Sequence, residues 1–305
     1  MEPKNVKLVL IDGHAVLHRA FHALPPLTNK DGVQTNAVYG FVTMLLRVLD
    51  DLQPTHLAVA FDLPQPTFRK QQYVGYQAKR PVMQSNLAEQ IPLVNELLDK
   101  LEIKHFAVAG FEADDVIGTI AKDSGRGQND VIIVTGDRDM LQLINKNIKV
   151  CVSETKIYDE DLVKKEFGVS PSQWVDVKAL KGDSSDNYPG VRGIGPKTAE
   201  KLISQYETLE NLYKNLGKLD KKTAEKLAQE TEMAGLSKKL AQIKTDVPLQ
   251  FDLEKTSIEK INWSEGAKYM REKLGFKSLV EKIENKFSNP VTKLPNKTNG
   301  QLELI

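Results

Sequence analysis

Carboxylates fall at the ends of strand-like runs throughout the first half of this 305-residue sequence. Asp12 closes LVLID, Asp62 closes AVAFD, and Asp137 and Asp139 follow DVIIVTG as G-D-R-D. Glu112, Asp114 and Asp115 come directly after IKHFAVAG and Phe111, and Glu112 and Asp115, three apart where a helix pattern begins, share a face. Farther on, KGDSSDN supplies Asp183 and Asp186 at the same spacing. Taken singly, an Asp after a strand reads as a turn or helix-cap residue. Taken together the set reads differently. Carboxylates that converge repel one another and keep their protons unless cations neutralise them. A donor set of oxygens alone, without His or Cys, suits the hard ions Mg²⁺ or Mn²⁺. Two such ions ~4 Å apart activate a water and stabilise the departing oxygen of a phosphodiester.

For these groups to meet, the chain must form a sheet whose strands end at one edge. Strand-like runs cover 6–11, 55–61, 103–110, 130–136 and 147–152. Between them, Asn36–Leu52 places Val38, Phe41, Leu45, Val48 and Leu49 at helical spacing, and Leu87–Leu101 and Ala113–Lys122 are two further amphipathic helices. That alternation predicts a mainly parallel α/β sheet covered on both faces. In such sheets ligands bind outside the carboxyl ends of the strands, where the acidic residues fall. From Asp159 the pattern is almost wholly helical, broken at Gly168–Pro171, Gly182–Pro196 and Gly217–Asp220. From Asn285 the chain is too polar and too rich in Pro and Asn to pack, which predicts a flexible tail.

Hydrophobic residues at 40% and charged residues at 27% fit a globular chain and exclude collagen-like or wholly disordered structure. The longest apolar runs are strand-sized, far short of the ~20 residues a bilayer span needs, so no membrane association is expected. MEPKNVKLVLID lacks the features of a signal peptide. The single cysteine, Cys151, cannot form an internal disulfide, which fits a reducing cytoplasm, and its setting in IKVCVS predicts a small buried hydrophobe. A net charge of +1 from 42 basic and 41 acidic residues names no partner, but the basic residues gather in Phe68–Arg80 and Lys214–Lys226. In 68–87, Arg69, Lys70, Lys79 and Arg80 alternate with Tyr73 and Tyr76. Cations that hold phosphates, interleaved with rings that stack on bases, suit a single nucleic-acid strand; a solvated surface helix is the plainer reading. In GVRGIGPKTAEKLI, Gly193 and Gly195 permit a tight turn between two helices, and Lys197 and Thr198 open a helix whose free N–H groups can grip a phosphate. An ordinary helical hairpin is the alternative there.

Six stretches, in order, carry a resemblance: LIDGHAVLHRAFHAL (10–24), TNAVYGF (35–41), AFDLPQPTFR (60–69), GFEADDVIGTIA (110–121), VTGDRDMLQL (134–143) and GDSSDNYPGVRGIGPKTAEKLI (182–203). Together they resemble the 5′ nucleases, the flap endonucleases and the 5′→3′ exonuclease domain of bacterial DNA polymerase I, over roughly Val6 to Val280. The resemblance implies a PIN-like nuclease core over 1–170 with a helical arch at about 68–87. It further implies a helical DNA-binding region over 171–284 with a helix–hairpin–helix-type unit at about 182–203, and a tail over 285–305. By resemblance Asp12, Asp62, Glu112 and Asp114 hold a first ion, and Asp137, Asp139 and Asp186 serve a second, with Asp115 and Asp183 completing the shell. Arg69, Lys79 and Arg80 take the positions that polarise the scissile phosphate, and Lys70, Tyr76, Gly193, Gly195, Lys197 and Thr198 those that contact DNA. The chain departs from the family twice. Tyr76-Gln77 stands where polymerase-type members commonly read Tyr-Lys, so Lys79 is expected to supply the missing cation. His18 stands where a tyrosine usually stacks on a base, beside a matching Arg19. The hairpin of such proteins often holds K⁺ through backbone carbonyls. The implied activity is metal-dependent 5′→3′ exonuclease and flap endonuclease cleavage of DNA in primer removal and repair, by a monomer in the bacterial cytoplasm near the nucleoid. An inactive DNA-binding module and a PIN-type ribonuclease are the alternatives. Finally, Gln301, Leu302, Leu304 and Ile305 resemble peptides that dock on the replication sliding clamp, a Gln bonding at the rim and apolar residues filling a pocket.

Overall fold

The structure, a computed structural model, describes residues 6–127, 129–152 and 156–287. Its centre is a six-stranded sheet in the order β3-β2-β1-β4-β5-β6. The strands are β1 (Lys7–Asp12), β2 (His56–Ala60), β3 (Lys104–Phe106), β4 (Asp130–Thr135), β5 (Ile148–Val152) and β6 (Lys156–Tyr158). All neighbours pair in parallel except β6, which runs antiparallel at the edge. In β1 every residue after Lys7 is buried, as a strand covered on both faces requires. Its side chains alternate strictly. Leu8 and Leu10 enter one core, and Val9 and Ile11 enter the other.

The helices, in chain order, are α1 (Gly13–Ala23), α2 (Asn36–Leu52), α3 (Phe68–Gln72), α4 (Ser85–Ala88), α5 (Gln90–Lys100), α6 (Ala113–Ser124) and α7 (Glu160–Phe167). They continue with α8 (Trp174–Lys181), α9 (Pro196–Tyr206), α10 (Leu209–Lys214), α11 (Lys221–Gln229), α12 (Thr231–Ala241), α13 (Trp263–Tyr269) and α14 (Lys277–Phe287). One core joins α6 and the apolar faces of α8 to α10 to the sheet. The opposite core holds α1, α2 and α5, and also Tyr269, Met270, Leu274, Phe276, Leu279, Val280 and Ile283. Residues 263–287 therefore return to the face of the sheet opposite α8 and α9. The chain from 171 to 284 is not one spatial unit.

Other features differ from the sequence-based expectations, among them β3, which covers Lys104–Phe106 and not the whole of 103–110. Strand β6 is short and carries no periodic signal. The stretch 243–262 is irregular, with short 3-10 turns at Leu253–Thr256 and Ile258–Lys260, and is tied to the start of β2 by Ile258 N–H donating to the Thr55 carbonyl. The arch is not helical over its length: five residues of α3 give way to turns, since Gly75 and Pro81 cannot sustain a helix. Asn285–Phe287, expected in the tail, complete α14. Gln301, Leu302, Leu304 and Ile305, expected to dock on the sliding clamp, lie outside the described residues.

Candidate active site

The strand order turns back at β1, with β2 and β3 on one side and β4 and β5 on the other. Asp12 ends β1 and Asp137 follows β4, so the two flank the switch point where open α/β sheets bind ligands. Asp12 caps α1 by accepting from Ala15 N–H at 3.0 Å, and its other oxygen accepts from the Thr135 hydroxyl at 2.8 Å. Asp137 caps the 3-10 turn Arg138–Leu143 by accepting from Asp139 N–H at 2.7 Å. Asp62 accepts from Ala113 N–H at 2.8 Å, and its own N–H donates to His14 Nδ1. Asp12 and Asp137 thus fill local cap roles as well as bringing their charges to the edge, whereas Asp62 bonds the first residue of α6, 51 residues away.

The charges feel one another. Burial raises Asp12 to about 6, with Asp62 and Asp137 adding to the rise against its two hydrogen bonds. Burial also lifts Asp114 well above the usual carboxylate range, helped by Asp137, Asp12, Asp62 and Glu112. Four carboxylates from four elements therefore share one field: Asp12, Asp62, Asp114 and Asp137. Among the described residues no group of three or more His, Cys, Asp or Glu already stands as a metal-holding set. Repulsion works to keep the carboxylates apart, and a divalent cation would relieve it. Their all-oxygen chemistry fits such an ion.

The remaining acidic residues carry internal cations. Arg69, 2% exposed, meets Asp115 with two parallel hydrogen bonds at 2.7 and 2.8 Å and reaches Glu112 at 3.2 Å. Its other donors go to the carbonyls of Leu240 and Gln242. Asp115 is fully buried and also accepts from the N–H groups of Glu112 and Lys244. All four of its acceptor positions are engaged. These two residues correct the expectation. Asp115 has no lone pair left to complete a metal shell, and Arg69 braces α6 and Gln242 instead of reaching a phosphate. Lys178, 4% exposed on α8, is ion-paired with both Asp139 and Asp183. Burial outweighs Lys178 at Asp139 and lifts it to about 7. At Asp183 burial also works upward, but Lys178, Ser185 and the Asp186 N–H hold it below the usual range.

Glu112 and Asp186 join the two sets. The Tyr76 hydroxyl donates to Glu112 at 3.1 Å and lies 3.3 Å from Asp186. Burial raises both carboxyls, against Arg69 and Thr67 at Glu112 and against Gln77 at Asp186. Tyr76 is 3% exposed, which corrects its expected stacking on a base. Lys70, Lys79, Arg80 and His18 are exposed, and Arg19 is half-buried. Arg80 is near enough to add charge at Asp186 and His18. In the hairpin, Gly182 and Gly190 have φ of +69° and +61° and their backbones abut, so a Cβ at either would strike main chain. Gly193 turns at φ +77°, while Gly195 is an extended cap for α9. Gly193, Gly195, Lys197 and Thr198 are all exposed.

Sequence reasoning missed the supporting residues. Thr135 holds Asp12, and the Thr67 hydroxyl donates to Glu112 at 3.0 Å. His14 holds Asp62, and Lys178 neutralises Asp139 and Asp183. Lys178 left one signal: an ammonium inside the otherwise apolar run VKAL.

A mainly parallel sheet with carboxylates along its carboxyl edge, continued by a helical region with a glycine hairpin, defines an α/β fold with an appended helical module. The chain belongs to the 5′-3′ exonuclease family: residues 7–168 match its N-terminal resolvase-like domain and residues 169–264 its C-terminal SAM fold. It is 41% identical to DNA polymerase I of Caldicellulosiruptor bescii, over 98% of this chain but only 37% of that protein. The chain thus spans little more than a third of the length of that curated relative. In fold it is similar to a T5 5′-exonuclease with bound zinc ions, at 19% identity and a TM-score of 0.66, covering 92% of this chain and 97% of the other. It is also similar to the catalytic core of Rad2 in complex with a DNA substrate, at 16% identity and a TM-score of 0.61, covering 92% of each.

Proposed function

We propose that the chain hydrolyses DNA phosphodiesters at 5′ flaps and duplex 5′ ends, using divalent cations held by its carboxylates. The observation that carries this reading is the shared field of Asp12, Asp62, Asp114 and Asp137 at the switch point, with the basic segment around Lys79 and the hairpin beside it. Asp12, Asp62, Glu112 and Asp114 are the ligands for one ion; Asp137 and Asp186 serve a second, with Asp139 shared with Lys178. When bound, the ions supply Lewis-acid activation of water and neutralise charge on the phosphate. Lys79 and Arg80 polarise the scissile phosphate, while Lys70, His18 and Arg19 guide the strand. Lys197 and the free N–H groups of Lys197 and Thr198 hold the duplex backbone.

The finer assignments belong to the same reading. Mg²⁺ or Mn²⁺ suits the oxygen donors, and the T5 relative with zinc supports a divalent ion in this fold. DNA as substrate rests on the family and on the Rad2 complex. A K⁺ in the hairpin would have to use carbonyls other than that of Gly193, which accepts from the Lys226 ammonium at 2.9 Å. Residues 1–170 act as nuclease core and α8 to α12 as the DNA-binding region, in a monomer of the bacterial cytoplasm acting at the nucleoid in primer removal and repair. Docking on the sliding clamp through Gln301, Leu302, Leu304 and Ile305 is tested by deleting them and measuring clamp binding by calorimetry. The decisive test is a flap substrate, in DNA and in RNA, with and without Mg²⁺. Cleavage of the DNA flap only with the ion is expected. DNA binding without cleavage under any divalent ion would sink the enzymatic reading, and preferential RNA cleavage would mark a ribonuclease.

A further inference from the structure

Two segments 110 residues apart in sequence hold each other in an unusual conformation. Gln77 has φ +54° and Asn187 has φ +54°, both in the left-handed region that non-glycine residues avoid. Such residues persist only where their surroundings fix them. Here each fixes the other's segment. The Gln77 N–H donates to the Asp186 carbonyl at 2.8 Å, and the Asn187 side-chain amide donates to the Gly75 carbonyl at 2.7 Å. The left-handed turn at Gln77 also turns its side chain inward, so that Nε2 donates to Asp186 Oδ1 at 3.2 Å. Tyr76 sits on the other oxygen. Both oxygens of Asp186 are therefore oriented by the segment that carries Lys79 and Arg80.

We propose that Gln77, set in place by Asn187, is a positioning residue that aims the Asp186 carboxylate at a divalent cation. This rests on Asp186 being a ligand in the reading above. The neutral amide at position 77 is thus not a missing cation but a support. It donates to Asp186 without opposing an incoming ion, as an ammonium would. Groups that orient a ligand in this way typically change metal affinity by about 10–100-fold when removed.

The test uses the 305-residue chain and Mn²⁺ alone, titrated by calorimetry, for wild type, Gln77→Gly and Asn187→Gly. Glycine takes φ near +54° without strain, so both variants keep the fold, checked by unchanged melting. The expected result is Mn²⁺ affinity weaker by about 10-fold or more for the weaker class of sites in both variants. Flap cleavage should then recover at high Mn²⁺, with the half-maximal Mn²⁺ concentration raised and the plateau near wild type. Wild-type affinity in both variants would overturn the proposal, as would a lowered plateau with unchanged Mn²⁺ dependence. A wild-type chain that binds no Mn²⁺ would remove Asp186 as a ligand and the proposal with it. Weakened Mn²⁺ binding in the variants of a chain that cuts no DNA flap would keep the proposal and refute the substrate assignment instead.

Discussion

The acidic residues at the carboxyl edge of the sheet divide by what neutralises them. Asp115 and Glu112 lean on Arg69, and Asp139 and Asp183 on Lys178, cations built into the fold and almost wholly buried. Among the described residues no lysine or arginine is ion-paired with Asp12, Asp114 or Asp137. A fixed guanidinium or ammonium gives one geometry and cannot leave. An unneutralised set stays under repulsion and gains from any exchangeable cation. The first arrangement suits holding elements together, the second suits chemistry. Similar carboxylates are thus held in two ways, with Glu112 and Asp139, each beside a buried cation, standing between the braced and the open residues; partners, not residue type, set the difference.

Among the unneutralised carboxylates, Asp137 should matter most to rate. Asp137→Ala is expected to lower turnover on a flap substrate by on the order of 10³-fold or more, at or beyond the upper end for loss of a single electrostatic stabiliser. DNA affinity without added metal should hold or tighten, because a like charge leaves the edge. Near-wild-type turnover in single-turnover kinetics would return Asp137 to its cap role alone.

On the braced side the effect moves from rate to stability. Arg69→Met leaves Asp115 buried without its partner, which typically costs about 3–5 kcal/mol and should show as a large fall in the urea midpoint. The exposed cations of the same segment should behave oppositely. Lys79→Ala is expected to slow single-turnover cleavage by about 10²-fold with unchanged melting. If Arg69→Met kept full stability, or Lys79→Ala lost stability and not rate, the division between buried and exposed cations would fail.

Burial pushes Asp12 up to about 6 and Asp139 up to about 7 from the ordinary 3.8. The folded state then holds protons that the unfolded state has released, so this contribution to stability is full below about pH 4 and is lost as pH rises through 6 and 7. A divalent cation replaces those protons at Asp12. The rise in Tm on adding Mg²⁺ should therefore be small at pH 5 and larger at pH 8, read by thermal melting across pH. An increment independent of pH would mean that the ion binds elsewhere.

Much of this was legible in the sequence, for physical reasons that also mark where legibility ends. Strands buried on both faces must be apolar runs, so β1, β2, β4 and β5 fall within a residue or two of their sequence signals, and α2 covers the expected Asn36–Leu52. The acidic residues at strand ends are local features, read directly. Arg69 and Tyr76 were not, because a basic, aromatic segment reads as surface, while their burial is decided by Asp115, Leu240 and Asp186, 46 to 171 residues away. Gln77 reads as a loss of charge until Asp186 is seen beside it. Strand β6 is three residues long with no period to detect.

The mildest change is expected in the hairpin. Lys197 follows the first residue of α9, its side chain 89% exposed and paired, among the described residues, only with Glu200 at 3.2 Å. An exposed pair of this kind adds little to stability, so Lys197→Ala should leave melting unchanged. As a phosphate contact it releases about one counterion on binding duplex DNA. The slope of log affinity against log salt should then become shallower by about 0.9, with turnover at saturating DNA untouched. Fluorescence anisotropy across a salt series gives the slope directly. An unchanged slope would assign the grip to the N–H groups of Lys197 and Thr198, which no side-chain substitution removes. The hairpin would then resemble the braced half of the acidic set, holding by fixed geometry, whereas a shallower slope would align it with the open half, holding by exchangeable charge.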